Sequence, residues 1–463
     1  MKKIKFKKIL IKNQWQDNVT LVIDKKGLIA EIMTSDAADA PDDQQIITSY
    51  ALPGMPNIHS HAFQRAMAGL TEYATSGKDN FWTWRDAMYR FAQIVTPDDL
   101  YHIARQLYLE MAMAGYTSVA EFHYLHHQPG GQPYDNPAEM SLALMRAAAD
   151  VGLGLTLLPV LYMSSGFGGL PLNAEQARFG HTLDQYCHLL SQLYDGFKDD
   201  QNQNLGVAFH SLRAVPTAAF DEVIQHMDSL DAAAPLHIHI AEQRKEVEDC
   251  TAWSGQRPVE WLLNHQELSA RWCLVHATHL TTSEGRALAK SGAVAGLCPT
   301  TEANLGDGLF PLKAYLQQGG SIAIGSDSHI SISPIEELRL LEYGQRLMHQ
   351  SRNIAATTLE PHAGTGLYLN SLAGGSKAAG FNTGEIAVGK RADLITLDPG
   401  SARLFGTPDD FLLDRFIFSG NLCLVKDVMM AGHWQVKDGI HPKAAEITSG
   451  FHNVMNRMVK ILD

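Results

Sequence analysis

Between about residue 52 and residue 380 the chain repeats one unit. A short apolar run is followed by a longer stretch whose apolar residues recur at helical spacing. The runs read ALPGMPNIH, YTSVAEF, LGLTLLPVL, LGVAFHSL, PLHIHIAE, WCLVHAT, GAVAGLCP and SIAIGSDS, eight in all. Helical patterns such as LYHIARQLYLEMAMA, TAAFDEVIQHMDSL and PIEELRLLEYGQRLMH lie between them. A strand that is apolar on both faces must be covered on both, and helical returns between strands make the sheet parallel. Eight units of this kind favour a closed (β/α)8 barrel over an open sheet, since such barrels usually take roughly 250 residues.

The flanks have a different character. Residues 1–50 alternate apolar and polar positions (IKFKKILI, VTLVIDKKGLIAEIM), and the chain's end does the same in GEIAVGKRADLITLD and CLVKDVMMAGHWQVKDGI. Both read as short antiparallel strands with glycine at the turns. A net charge of −13 argues against nucleic acid or an anionic membrane as partner, because both require a basic face. No stretch approaches the roughly 20 apolar residues of a membrane span. The basic N-terminus lacks a continuous apolar core and a small-residue cleavage site. Cys187, Cys250, Cys273, Cys298 and Cys423 are scattered, with no C-x-x-C pair, a pattern of a reducing compartment; the expected location is the cytoplasm.

In a barrel of this type functional groups sit at the C-terminal ends of the strands. His59 and His61 end the first predicted strand, Glu121 and His123 the second, and His210 and Arg213 the fourth. His237, His239 and Glu242 end the fifth, His276 and His279 the sixth, and Asp327 and His329 the eighth. Two histidines at i and i+2 of a strand point to one side and can share an ion. Joined by histidines from other strands and a carboxylate, they make a donor set suited to zinc or another borderline divalent ion. Spacing alone leaves His237 in competition with His239, and His279 with His276.

The segments PGMPNIHSH, HIHIAE, LVHATHL, GLCPTTEANLGDG, GSDSH and GEIAVGKRADLITLD, spread over nearly the whole chain, resemble the amidohydrolase superfamily. The resemblance implies an α/β fold, a metal-bearing (β/α)8 barrel (TIM-like) with a small β-sandwich built from both termini. It divides the chain into 1–52 and 381–445 for the two parts of the sandwich, 53–380 for the barrel, and 446–463 for a C-terminal helix or tail. It implies His59, His61, His239 and Asp327 as metal ligands. Only His239 forms H-x-x-E with Glu242, which together with His276 takes a catalytic role beside Asp327. Binuclear members carry a bridging lysine on strand four; LGVAFHSL has none, so one divalent ion, zinc before iron, is expected. A metal of this kind makes water acidic enough to supply hydroxide near neutral pH. Asp327 can take the water's proton, Glu242 can pass one to the leaving nitrogen, and His276 can hydrogen-bond the tetrahedral centre.

Further segments, NIHSHAFQRAMAGLTE, FWTWRDAMYRF, AFHSLRAVP and SPIEELRLLEYGQRL, resemble the branch of that superfamily that deiminates N-formimino-L-glutamate in histidine degradation. The resemblance implies substrate contacts from Gln64, Arg85, Tyr124, His210 and Arg213. Arginine forks match carboxylates, and such a substrate carries two. Trp82 and Trp84 read as packing residues of the first loop, and Ser328 and His329 as groups that orient the ligands. A guanine- or cytosine-type aminohydrolase would use the same metal ligands but has no use for two arginines. A non-catalytic scaffold would be expected to lose metal ligands, and all four positions are filled. The implied partner is a small anionic amino-acid derivative, and a homodimer is the assembly expected from the family.

Overall fold

The computed structural model describes residues 1–34, 45–73, 80–198 and 200–462. The N-terminus forms strands β1 (Lys2–Ile11), β2 (Gln14–Ile23), β3 (Ile29–Thr34) and β4 (Gln45–Pro53). The eight apolar runs then become β5 (Met55–Ser60), β6 (Tyr116–His123), β7 (Gly154–Leu161), β9 (Val207–Phe209), β10 (Leu236–Ile240), β11 (Trp272–His276), β12 (Val294–Leu297) and β13 (Ser321–Ile324). A three-residue strand, β8 (Gln203–Leu205), pairs with β7 off the main path. The other eight pair in sequence order, all parallel. Nearly every residue in them is buried, as a sheet covered by helices requires.

Closure of the barrel falls between β5 and the segment after β13. A parallel bridge joins Ser60 to Asp327, with Asp327 N–H donating to the His59 carbonyl at 3.0 Å and His61 N–H donating to the Asp327 carbonyl at 3.2 Å. Asn57 reinforces the seam: its amide donates to Ser326 Oγ at 2.7 Å, and its side-chain oxygen accepts from Ser326 N–H at 3.1 Å. The helix Ala363–Ala379 covers β5 and β13 from outside. Its glycines make that possible, because a Cβ at Gly374 would lie 2.0 Å from the Ile322 carbonyl oxygen. The end of this helix reaches the N-terminal part of β7 and β10, where Thr156 Oγ1 and His237 Nε2 meet the carbonyls of Ala379 and Ala378 at 2.5 and 2.8 Å.

The terminal strands form one separate seven-stranded sheet, completed by β14 (Leu394–Leu397), β15 (Val425–Met430) and β16 (His433–Val436) in the order β16-β15-β14-β4-β1-β2-β3. Its pairs are antiparallel except β1 with β4, which run parallel because the chain crosses over β2 and β3 to return beside β1. Period-two alternation sorts its residues between two cores. Ile9, Ile11, Ala51, Leu394 and Met429 enter a small core of the sheet's own, while their neighbours Leu10, Leu52, Ile395, Val428 and Met430 join the large barrel core. The C-terminal helix Ala444–Leu462 lies on the helix Pro97–Ala114, with an Arg105–Glu446 ion pair at 2.9 Å. All five cysteines are free thiols. Among the described residues no helix is long and apolar enough to cross a membrane.

Gly325, just after β13, touches the seam directly: a Cβ there would stand 2.7 Å from His59 Cβ and 2.8 Å from its backbone nitrogen. Gly325→Ala is therefore expected to force β13 away from β5, costing about 1–3 kcal/mol of stability. Thermal unfolding together with metal content of the purified variant checks this, since displacement at this seam should lower both.

Candidate metal centre and active site

Four side chains converge at the closed seam. Nε2 of His59 lies 3.2 Å from Nε2 of His61 and 2.9 Å from Nε2 of His239. Asp327 Oδ1 lies 3.3 Å from His61 Nε2 and 3.6 Å from His59 Nε2. Ligands held tetrahedrally at about 2.0–2.1 Å from zinc would stand about 3.3 Å apart, so the spacing fits a shared ion. Tautomers fit as well. His61 Nδ1 sits 2.8 Å from the Phe122 carbonyl, to which it can only donate, leaving the lone pair on Nε2 facing inward. Burial, and the neighbouring histidines, hold His59 and His239 well below the ordinary histidine range; burial brings His61 down to about 3. Neutral imidazoles aiming lone pairs at one dry point repel one another, and a divalent cation relieves that. The donor set fits a metal.

The surrounding residues hold these ligands in place. Glu121, deep in β6, accepts from Ser60 Oγ at 2.5 Å, from Ala62 N–H at 2.6 Å and from the Tyr108 hydroxyl at 3.2 Å. One carboxylate thus holds the residues on both sides of His61, Ser60 by its hydroxyl and Ala62 by its backbone. Tyr108 comes from the helix Pro97–Ala114, whose start is fixed by a Thr96–Asp99 capping box with proline in its first turn. His329 bridges Ser60 Oγ (3.3 Å) and Ser326 Oγ (3.0 Å), and Ser328 Oγ meets Thr301 Oγ1 at 3.0 Å. Both therefore buttress the ligand segment, as expected from the sequence. Asp327 and His276 adopt positive φ, 48° and 68°, which for such residues costs about 1–3 kcal/mol each and is tolerated where the surroundings over-determine it.

His276 faces this centre from the end of β11, with Nε2 3.8 Å from Glu242 Oε1 and 3.8 Å from Asp327 Oδ2, and Nδ1 3.3 Å from Glu302 Oε1. Burial disfavours its charge, but Glu242, Glu302 and Asp327 outweigh it and raise the imidazole to about 10. It is an imidazolium able to donate from both nitrogens. Asp307 joins the cluster. Burial and then Glu242 push its carboxyl up, its Oδ1 accepts from Gln243, and its Oδ2 is buried without a partner. The competing histidines fall away: His237 lies deeper in the barrel on Ala378, and His279 joins none of the converging groups among the described residues.

One pocket opens onto the centre. Gln64, Arg85, Tyr124, His210 and Arg213 all line it, together with His61, His239, Glu242, His276 and Asp327. Gln64 Nε2 donates to the Tyr124 hydroxyl at 2.8 Å, while Gln64 Oε1 is buried with no partner. His210 Nδ1 lies 3.1 Å from Ser211 Oγ, and burial followed by Arg213 keeps the ring neutral. Burial opposes the charge of Arg213, but Glu246, Tyr162 and Glu242 more than restore it. Nε of Arg85 and Nε of Arg213 are both buried without hydrogen-bond partners. Among the described residues, neither arginine forms an ion pair, and both line the pocket.

Sequence reading singled out the four converging side chains and the pocket-lining arginines but not the contacts of Glu121 with Tyr108, nor Glu302 and Asp307. A signal existed for the last two, in the acidic positions of TTEANLGDG after β12. Trp82 was expected only to pack the loop. Instead Arg85 Cζ stands 4.5 Å and Arg213 Cζ 5.9 Å from its ring centroid. Trp84 lines the pocket.

The model of the amidohydrolase family matches residues 50–434. The chain is 49% identical to formimidoylglutamate deiminase of Pseudomonas aeruginosa over 452 residues, 97% of this chain and 98% of that one. Among solved structures, an amidohydrolase from Brucella melitensis superposes with a TM-score of 0.92 at 43% identity, covering 99% of this chain and 100% of its own. An adenosine deaminase from Xanthomonas campestris with bound zinc shares the fold, at TM-score 0.80 and 20% identity over 99% of this chain and 98% of its own.

Two outcomes test the centre. Burial holds the Asp327 carboxyl up at about 7, with His276 opposing and Glu242 adding to the rise. Metal uptake must displace that proton, so affinity should fall by about tenfold per pH unit from pH 7 down to about pH 5. The slope should be one proton, because His61 sheds its own at about 3. Chelator competition across pH measures it; a slope of two or more would mean that the histidines titrate as well. Separately, Glu121→Gln should weaken metal binding by roughly 10–100-fold through loss of the clamp, read by the same competition at fixed pH.

Proposed function

The chain belongs to the amidohydrolase family, and on that premise we propose that it hydrolyses N-formimino-L-glutamate to N-formyl-L-glutamate and ammonia, a step of histidine degradation. The observation that carries this reading is the pair Arg85 and Arg213, which enter from different elements with unpaired Nε groups and share one pocket with the His/Asp centre. A dianionic substrate tail answers two such forks, whereas a nucleobase would leave both charges unmatched. The extensive identity to formimidoylglutamate deiminase supports the same assignment.

Three imidazoles and one carboxylate suit zinc, and the lysine-free strand β9 favours a single ion. Such an ion, held by His59, His61, His239 and Asp327, makes water acidic near neutral pH and polarises the atom it contacts. The chain's own groups do the rest. The arginines, with Gln64, Tyr124 and His210, fix the glutamate portion so that the formimino carbon faces Asp327. Asp327 accepts a proton from the attacking water. Glu242, a carboxylate on the same pocket, takes the second proton from the hydroxyl of the tetrahedral carbon and passes it to the terminal nitrogen; with the first proton returned from Asp327, the nitrogen departs as ammonia. His276, an imidazolium kept charged by three carboxylates, donates to the oxygen of the tetrahedral carbon and then to the new carbonyl. Glu302 holds its far nitrogen and so its ring orientation. Five unpaired thiols accord with work in the reduced interior of the cell.

Ammonia release from N-formimino-L-glutamate, run beside guanine, cytosine and N-formimino-L-aspartate, tests the assignment; the glutamate derivative should be strongly preferred. Arg213→Met should raise KM by roughly 10–100-fold, the loss of a charge-assisted fork. Glu242→Gln should instead lower kcat by about 10²–10⁴ with metal content unchanged. Full activity on the dianion in an Arg85→Met/Arg213→Met double variant would defeat the reading.

A further inference from the structure

We infer that Trp82 is a positioning residue that holds Arg85 and Arg213 as one unit, and that selectivity for a dianion over a monoanion runs through its indole ring. The inference rests on the proposed function for its substrate, but not for its geometry.

The helix Phe81–Ala92 starts at Asn80, whose side chain accepts from Trp82 N–H at 2.9 Å while Thr83 Oγ1 accepts from Asn80 N–H at 3.0 Å. This capping box sets the phase of the first turn. Trp82, Arg85 and Tyr89 follow at spacings of three and four, so they share a face. Arg85 lies over both rings of that face, 4.5 Å from Trp82 and 5.3 Å from Tyr89. Arg213 reaches the same indole from the segment after β9. One ring therefore serves two cations from elements far apart in sequence.

Physics gives that arrangement a purpose. Two guanidiniums turned into one partly dry pocket repel, and each would gain by swinging out to water. Arg213 is restrained by the field of Glu246 and Glu242. Arg85 has no comparable anchor: Asp86 is exposed, and among the described residues Arg85 forms no ion pair. What the arginine has is the indole face, nearer than the Tyr89 ring, and a cation–π attraction that strengthens as water leaves. Removing the ring should free Arg85 first and loosen its spacing to Arg213. A ligand with two carboxylates at fixed separation needs both forks in register, whereas a monoanion needs one. The ring also meets Phe81 edge-on at 5.0 Å, so a purely packing role is the competing explanation.

Metal-loaded enzyme with Trp82→Leu and Trp82→Phe separates the two. Calorimetric titration uses non-reacting probes, glutarate as dianion and butyrate as monoanion, and turnover uses N-formimino-L-glutamate and N-formimino-L-aspartate. Trp82→Leu should weaken glutarate by about tenfold, equivalent to about 1.4 kcal/mol, with butyrate little changed. KM for the glutamate derivative should rise in proportion, kcat should hold, and the preference over the aspartate derivative should shrink. Trp82→Phe, which keeps an aromatic face, should recover most of the loss. Equal weakening of both probes, no weakening of either, or a fall in melting temperature and kcat that phenylalanine does not rescue would overturn the inference. If wild-type enzyme binds glutarate through Trp82 yet releases no ammonia, the proposed function fails while this inference stands. If the Leu variant turns over with unaltered KM, the reverse holds.

Discussion

The bond pair that closes the barrel is also the bond pair that assembles the candidate metal centre. Asp327 accepts from His61 N–H and donates to the His59 carbonyl, so the backbone linking last strand to first sets the distance between a carboxylate and two imidazoles 266 and 268 residues away in sequence. Stability and ligand geometry are thus one quantity at this seam. Gly325, which lets β13 lie against His59, and the small-residue helix Ala363–Ala379, which presses on the outside, serve both. So does Asn57, whose side chain replaces ladder bonds that the irregular end of β13 cannot make.

Around that seam the site divides into regions of opposite electrostatic character, both created by dehydration. On one side buried imidazoles lose their charge and present lone pairs. On the other, Glu242, Glu302 and Asp327 surround His276 and keep it protonated against the same desolvation. Placing like residue types in unlike fields gives imidazoles of opposite protonation state a few ångströms apart, the arrangement on which the proposed deimination draws. The pocket beyond is a third field, where Arg85 and Arg213 form no ion pair among the described residues and share one aromatic ring.

Much of this was written in local sequence. Strand and helix periodicity is a short-range property, so eight alternating units and the β-rich flanks could be read directly; the rule that function gathers at strand C-termini gave a longer list of polar residues, from which the resemblance to the amidohydrolases implied His59, His61, His239 and Asp327. The helix Ala363–Ala379 escaped because its glycines, among them Gly374 against Ile322 and Gly375 against Pro56, weaken the local helical signal. β4 pairing parallel to β1 escaped for a related reason: strand direction within a sheet depends on which strand arrives beside it.

What the amino-acid sequence determined by itself is the inventory and its order: how many strands, which donors end them, and the absence of a bridging lysine. Spacing left His237 and His239 equal and the resemblance chose His239; tertiary structure supplies the physical reason, since His239 reaches His59 at the centre while His237 stands deeper in the barrel on the Ala378 carbonyl. It also decided that Glu121 is a clamp, that Glu302 orients His276, and that one tryptophan underlies both arginines. Each of those depends on a distance between residues remote in sequence, set only when the sheet closes and water leaves. The segment NIHSHAFQRAMAGLTE carries His59 and His61, and only the closed barrel brings His239 and Asp327 to them.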